Sequence, residues 1–116
     1  MATTLVVTDL TSGQIHVSVS QSAGEAADLV AAPGADYRIV VTELFVDDKT
    51  RTLDFAGAAA NGALSGTIAQ AAGGGCISIR GDMKNPVFEC AENVKFAVTT
   101  ATAGWTGYFK YRVTGN

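Results

Sequence analysis

Between Gln14 and Ser20 the chain alternates strictly, with Ile15, Val17 and Val19 of one parity and His16, Ser18 and Ser20 of the other. A period of two places successive side chains on opposite faces of a strand, so this segment reads as a strand with one buried face. The same signature returns in short runs rich in Val, Ile, Thr, Phe and Tyr. These runs are cut at short intervals by 13 glycines, against only 2 prolines. Strand-forming runs punctuated by glycine turns constrain the chain to an all-β fold.

Leu5 to Thr8 is a short first strand stopped by Asp9 and by Ser12-Gly13. Glu25 to Ala32 is the one stretch with helical composition, ended by Pro33-Gly34. Tyr37 to Val46 is the longest apolar-rich segment: Tyr37, Ile39, Val41 and Phe45 share one parity, and Val40, Leu44 and Val46 the other. Such a strand is either central and covered on both sides, or it carries a bulge that swaps its faces.

After a turn at Asp47-Asp48-Lys49-Thr50, Thr52 to Ala56 and Ala63 to Ala69 form two strands around the small-residue turn Ala58 to Gly62. Cys76 to Arg80 follows Gly73-Gly74-Gly75, and Gly81 to Asn85 is a turn before the strand holding Val87, Phe88 and Cys90. Val94, Phe96 and Val98 alternate again, Thr99 to Gly104 turns, and Trp105 to Val113 is the last strand. Eight or nine short strands at a spacing of about 8–12 residues predict an antiparallel β-sandwich or barrel. No linker, repeat or boundary divides residues 1–116, and a chain of this length buries one core without staples.

Charged residues are only 16% of the chain, against about 25% in a typical domain. A surface so poor in charge is suited to partial burial against other subunits. The net charge of −3, with eight scattered basic residues, opposes binding to nucleic acid. No run approaches the ~20 apolar residues that span a bilayer. Met1-Ala2-Thr3-Thr4 lacks the basic and apolar regions of a secretory signal, so synthesis in a cytoplasm is expected.

Catalytic and metal chemistry find little support in the residue pattern. The single histidine, His16, lies on the polar side of its strand and reads as a solvent-facing or interface residue. There is no Gly-x-Ser-x-Gly elbow. Asp47-Asp48 reads as turn chemistry, since sequence neighbours converge poorly on one bond, and Glu89/Glu92 does not read as a catalytic carboxylate pair either. No Asp-x-Asp-x-Asp-Gly spacing builds a calcium loop. Gly73-Gly74-Gly75 precedes a strand rather than a helix and reads as a turn, not a phosphate cradle. No catalytic, cofactor or metal residue is therefore assigned, and the chain is expected not to be an enzyme.

Two features carry geometry. A hairpin centred on Met83 would set Arg80 against Pro86, Ser78 against Phe88 and Cys76 against Cys90. Facing residues have Cβ atoms ~4.5–5.5 Å apart, slightly beyond disulfide range, so Cys76 and Cys90 are either a candidate disulfide or two buried thiols. In the last strand Trp105, Phe109 and Tyr111 share the parity of a core face, whereas Tyr108 lies with Lys110 and Arg112. Core packing is the preferred reading over a sugar-binding platform.

Leu29-Val30-Ala31-Ala32-Pro33-Gly34 leads into Tyr37 to Thr42; Asn85 to Ala91, Val94 to Thr100 and Gly104 to Val113 follow in order. This succession resembles small virion proteins of tailed bacteriophages and prophages. In these, an L-V-A-A-x-x-G lead-in, a P-hydrophobic-hydrophobic strand, a V-x-F/L-x-V strand and a terminal G-x-x-x-Y strand recur. The resemblance spans residues 29–113 and implies a jelly-roll sandwich of about eight strands, with an extended rather than helical approach over residues 25–32. It also implies a capsid decoration protein that binds the major capsid protein or another virion protein, as a homo-oligomer with a trimer expected, and resides in the virion. The alternatives it leaves are a fibre or tail module recognising host-surface carbohydrate and, outside virology, a secreted carbohydrate-binding module. Residues 1–28 match no part of the pattern and are expected to add an edge strand or a subunit-bridging arm.

Overall fold

The segments with strand signatures form ten strands in the computed structural model, which describes residues 2–10 and 12–115. They are β1 (Thr3–Asp9), β2 (Ile15–Gln21), β3 (Ala26–Val30), β4 (Tyr37–Val46), β5 (Arg51–Ala58), β6 (Gly62–Gln70), β7 (Ile77–Arg80), β8 (Phe88–Glu89), β9 (Phe96–Ala101) and β10 (Thr106–Gly115). The larger sheet runs β1-β2-β10-β4-β7, with β8 also paired to β4; the smaller runs β3-β9-β5-β6. Every pairing is antiparallel. The chain is thus an all-β sandwich, and β2-β10-β4-β7 over β3-β9-β5-β6 is the double Greek key order of a jelly roll. Residues 26–30 are extended, not helical. β1 lies outside the eight-strand frame as an added edge strand on β2.

The core fills the space between the sheets by alternation. Val17 and Val19 of β2 and Phe109 and Tyr111 of β10 face Leu53 and Phe55 of β5 and Phe96 and Val98 of β9. Phe55 stands at the centre of the aromatic packing, stacked on Phe96 at 5.8 Å and edge-on to Trp105 at 6.1 Å. Phe96 in turn meets Phe109 edge-on at 5.2 Å. Such offset and edge geometries add to the apolar burial itself. Gly107 lets β10 approach the backbone of β4 closely, because a Cβ there would lie 2.0 Å from the Phe45 carbonyl oxygen.

β4 resolves the double apolar pattern by a bulge. Lys110 pairs with Glu43 and Tyr111 with Val41, leaving Thr42 as the extra residue. Ile39 and Val41 before it, and Leu44 and Val46 after it, all join the core although their parities differ. Thr42 is held in place by its hydroxyl, which donates to the Lys110 carbonyl at 3.4 Å and accepts from Gln14 Nε2 at 3.0 Å.

One end of the core is closed by a charge. Arg51 is the first inward position of β5 and is fully buried. Its guanidinium donates to Gln70 Oε1 at 2.8 Å, to the Gly104 carbonyl at 2.7 Å and to the Asp47 carbonyl, and it pairs with the Asp47 carboxylate at 2.7 Å. A buried cation is tolerated only when its donors are satisfied in this way. The turn after β4, the end of β6 and the entry to β10 are thereby tied to one side chain.

The hairpin expected between Cys76–Arg80 and Pro86–Cys90 does not form. β7 pairs with Glu43–Val46 and β8 with Val40–Val41, so the two segments lie end to end along the same edge of β4. The Gly81 N–H donates to the Thr42 carbonyl and the Val87 N–H to the Val41 carbonyl, and the residues between loop outward at the bulge. A strand as long as β4 offers main-chain groups that need partners along its whole edge, and both segments are spent on them. Phe55→Ala is expected to cost about 3–5 kcal/mol in urea unfolding, whereas Tyr37→Ala, at an exposed site, should stay within about 0.5 kcal/mol.

Candidate functional site

The face of the larger sheet that turns away from the core carries a cluster of aromatic and charged side chains. Two rows cross five strands: Thr8, His16, Lys110, Glu43 and Arg80 in one, Val6, Ser18, Tyr108, Phe45 and Ser78 in the other. The bulge at Thr42 is what turns Glu43 and Phe45 outward onto this face while Leu44 and Val46 stay inside.

Glu43 is the hub. The Tyr108 hydroxyl donates to Glu43 Oε2 at 2.5 Å, and Arg80 Nε and Lys110 Nζ approach Oε1 at 3.4 and 3.6 Å. The Tyr108 hydrogen bond lowers the Glu43 pKa, opposed by burial and helped by the two cations. The same bond raises the pKa of Tyr108. Around the hub the rings stack: His16 on Tyr108 at 5.0 Å and Tyr108 on Phe45 at 5.7 Å, with interplanar angles of 23° and 16°. The result is an aromatic and ion-paired surface across β2, β10, β4 and β7.

The remaining residues singled out in the sequence are distributed elsewhere. Asp47 accepts from the Thr106 N–H at 3.1 Å beside its pair with Arg51, and Asp48 accepts from the Gly73 N–H at 3.0 Å. The glycine turn therefore binds a carboxylate of the chain itself. Glu89 pairs with Arg38 at 2.9 Å, while Glu92 accepts from the Asp36 N–H at 2.8 Å. Among the described residues no three of His, Cys, Asp and Glu gather in one place.

Cys76 and Cys90 are both free thiols, the first exposed and the second buried, which corrects the candidate disulfide. Cys90 N–H donates to the Ile39 carbonyl, whereas Ile77, next to Cys76, pairs with Val46. Along β4 those points are about 20 Å apart, and a disulfide needs Cα atoms within about 7 Å. Cys90 packs instead against Gly57, where a Cβ would stand 2.6 Å from its sulfur. Burial, with a smaller contribution from Glu89, pushes its thiol up to about 11. It behaves as the small hydrophobe that was the other reading.

Tyr108 lies on the outer face with Lys110, as parity placed it, and Trp105, Phe109 and Tyr111 are in the core. Glu43, Phe45 and Arg80 were not singled out. Glu43 is the sole acidic residue within the apolar run of β4, a signal that could have marked an outward position. Phe45 shares the parity of Ile39 and Val41, so only the position of the bulge assigns its face.

Family models, curated proteins and solved structures all give no match to this chain.

The direction of the Glu43 shift sets a pH dependence. A carboxylate lowered from 4.5 in the folded state contributes stability above that pH and loses it as pH falls through the folded value. The Tyr108 contribution is present below pH 10.0 and is lost as pH rises through its raised value. Urea unfolding of Glu43→Gln should show lower stability than the parent at pH 7, with the difference shrinking in acid below pH 4.5. An unchanged difference in acid would remove Glu43 as the titrating hub.

Proposed function

We propose that this chain is a virion structural protein of a tailed bacteriophage, a capsid decoration protein that binds the outer shell and stabilises it. The observation that carries the reading is the aromatic and ion-paired outer face of the larger sheet. Tyr, Phe and Arg side chains, enriched at protein interfaces, are pre-arranged there by mutual stacking and ion pairing. A sheet face spanning several strands in this way offers area to another protein. The jelly-roll order and the strand motifs of residues 29–113 support the same reading. The partner is the major capsid protein or another virion protein, and no catalytic step is assigned to the chain.

The mechanism is mass action. A protein that binds only the assembled lattice stabilises that lattice in proportion to its saturation. Many weak copies then act together without any single strong site. Stacked aromatics held by a Glu43 hub lose little side-chain freedom on docking, which lowers the cost of each contact.

A second reading draws on the His16–Tyr108–Phe45 stack, since aromatic rings on a sheet face also suit a sugar ring. It makes the chain a fibre or tail module for host-surface carbohydrate. The two readings separate by sedimentation. Mixed at micromolar concentration with undecorated shells, the chain should pellet with them and raise their melting temperature, and Tyr108→Ala with Arg80→Glu should abolish both effects. A chain left in the supernatant, yet adsorbing to host cells through Tyr108, would replace the capsid reading with the carbohydrate one.

A further inference from the structure

β1 ends the larger sheet, and no described strand pairs with its outer side. Natural edges are normally blunted by lysine, proline or a bulge. β1, with the sequence Thr-Thr-Leu-Val-Val-Thr-Asp, has none of these, and its pairing with β2 is regular throughout. Val6 and Val7, which point to opposite faces, are 58% and 60% exposed. Val7 lies on the core side, opposite Val17, but extends beyond the cover of the smaller sheet.

The direction of the free main-chain groups follows from the ladder. Ser22 N–H donates to the Ala2 carbonyl and Gln21 N–H to the Trp105 carbonyl. Even-numbered residues of β2 therefore bond to β1 and odd-numbered ones to β10. On β1 the groups bonded to β2 then belong to Thr4, Val6 and Thr8. Those of Thr3, Leu5, Val7 and Asp9 point outward from the edge.

We infer that β1 pairs edge to edge with β1 of a second copy of this chain, about a two-fold axis through Val6, so that the two larger sheets become one continuous sheet. In that register Leu5 of one copy faces Val7 of the other, and Thr3 faces Asp9. Both are pairs of outward-bonding residues, so the parity demanded by the free N–H and C=O groups is met along the whole strand, giving about eight ladder hydrogen bonds. Thr4 faces Thr8 and Val6 faces Val6 as the intervening pairs. Shifting the register by one residue would set outward groups against groups already used. The near-palindromic residue order makes the side chains match as well: apolar meets apolar, hydroxyl meets hydroxyl, and Asp9 meets Thr3 rather than another carboxylate.

The same register covers both exposed valines. The Val6 side chains meet across the axis on the outer face. On the core side Leu5 and Val7 of the two copies form one apolar cluster beside the groove of about 320 Å³ bounded by Thr3, Leu5, Ala26, Ala27 and Asp28. The edge is held ready for pairing at its start. Thr3 Oγ1 donates to Glu25 at 2.6 Å and accepts from Gln21 Nε2 at 2.9 Å, and Gln21 and Thr100 are buried behind it. The symmetry is two-fold, in place of the three-fold closure expected from the resemblance, and it requires no capsid to form.

Sedimentation equilibrium of the whole chain at about 100 μM should give twice the 11.9 kDa chain mass. Val6→Lys, at an exposed outer-face site that leaves the fold alone, places like charges across the axis and should yield the single-chain mass with an unchanged circular dichroism spectrum. In a Cys76→Ser background, Val6→Cys should form an intermolecular disulfide on oxidation, because facing Cβ atoms on the axis lie ~4.5–5.5 Å apart and strand breathing closes the remainder. A parent chain of single mass, a trimer, or a dimer that persists in the folded Val6→Lys variant would each overturn the pairing. So would a partner on β1 from another protein in place of the second copy.

Discussion

One extra residue in β4 governs the arrangement on both sides of the larger sheet. Without Thr42 as a bulge, a strand reading Ile39, Val41, Glu43, Phe45 on one side would put a carboxylate into the core. With it, Ile39, Val41, Leu44 and Val46 all face inward, and Glu43 and Phe45 turn to the outer face. The aromatic and charged surface then assembles around Glu43 because β10 and β2 bring Tyr108, Lys110 and His16 to the same rows. The bulge also marks where β7 leaves β4 and β8 joins it, which sends the intervening loop outward and separates the two cysteines. Core, surface and loop are three consequences of a single insertion.

The alternating segments were legible because their local pattern and their burial agree. Val17 and Val19 in β2 and Phe109 and Tyr111 in β10 are inside, as period two requires. The two-faced pattern of β4 was legible as a choice between full coverage and a bulge. It did not say which residue bulges, since Thr42 differs from its neighbours only through the hydroxyl bonds it makes to Gln14 and Lys110.

Pairing partners were the illegible part. Cys76 to Arg80 and Pro86 to Cys90 have the length and the turn of a hairpin, and nothing local distinguishes that from two segments laid along a third strand. The difference lies in the long-range need of β4 for main-chain partners, a need no short window contains. Gly57 illustrates the same limit: its lack of a side chain has meaning only once Cys90 is known to sit against it. Arg51, too, reads locally as an ordinary charge beside a turn, yet it closes one end of the core with bonds to Gln70, Gly104 and Asp47.

The switch of faces at Thr42 is tested most directly by removing it. In an unbulged strand, deleting one residue turns every later side chain to the other face. At the bulge it does not: without Thr42, Glu43 still follows Val41 outward and Leu44 still faces in. Deleting Leu44 instead turns Phe45 inward and Val46 outward while the bulge is kept, or carries Glu43 into the core if the strand becomes regular. The measurement is chemical unfolding of the two deletion variants followed by Trp105 fluorescence. Deletion of Thr42 should leave one cooperative transition with the indole still buried, and deletion of Leu44 should leave none. If both variants are unfolded, or Leu44 proves the more dispensable, the switch does not lie at Thr42 and the surface built on it loses its basis.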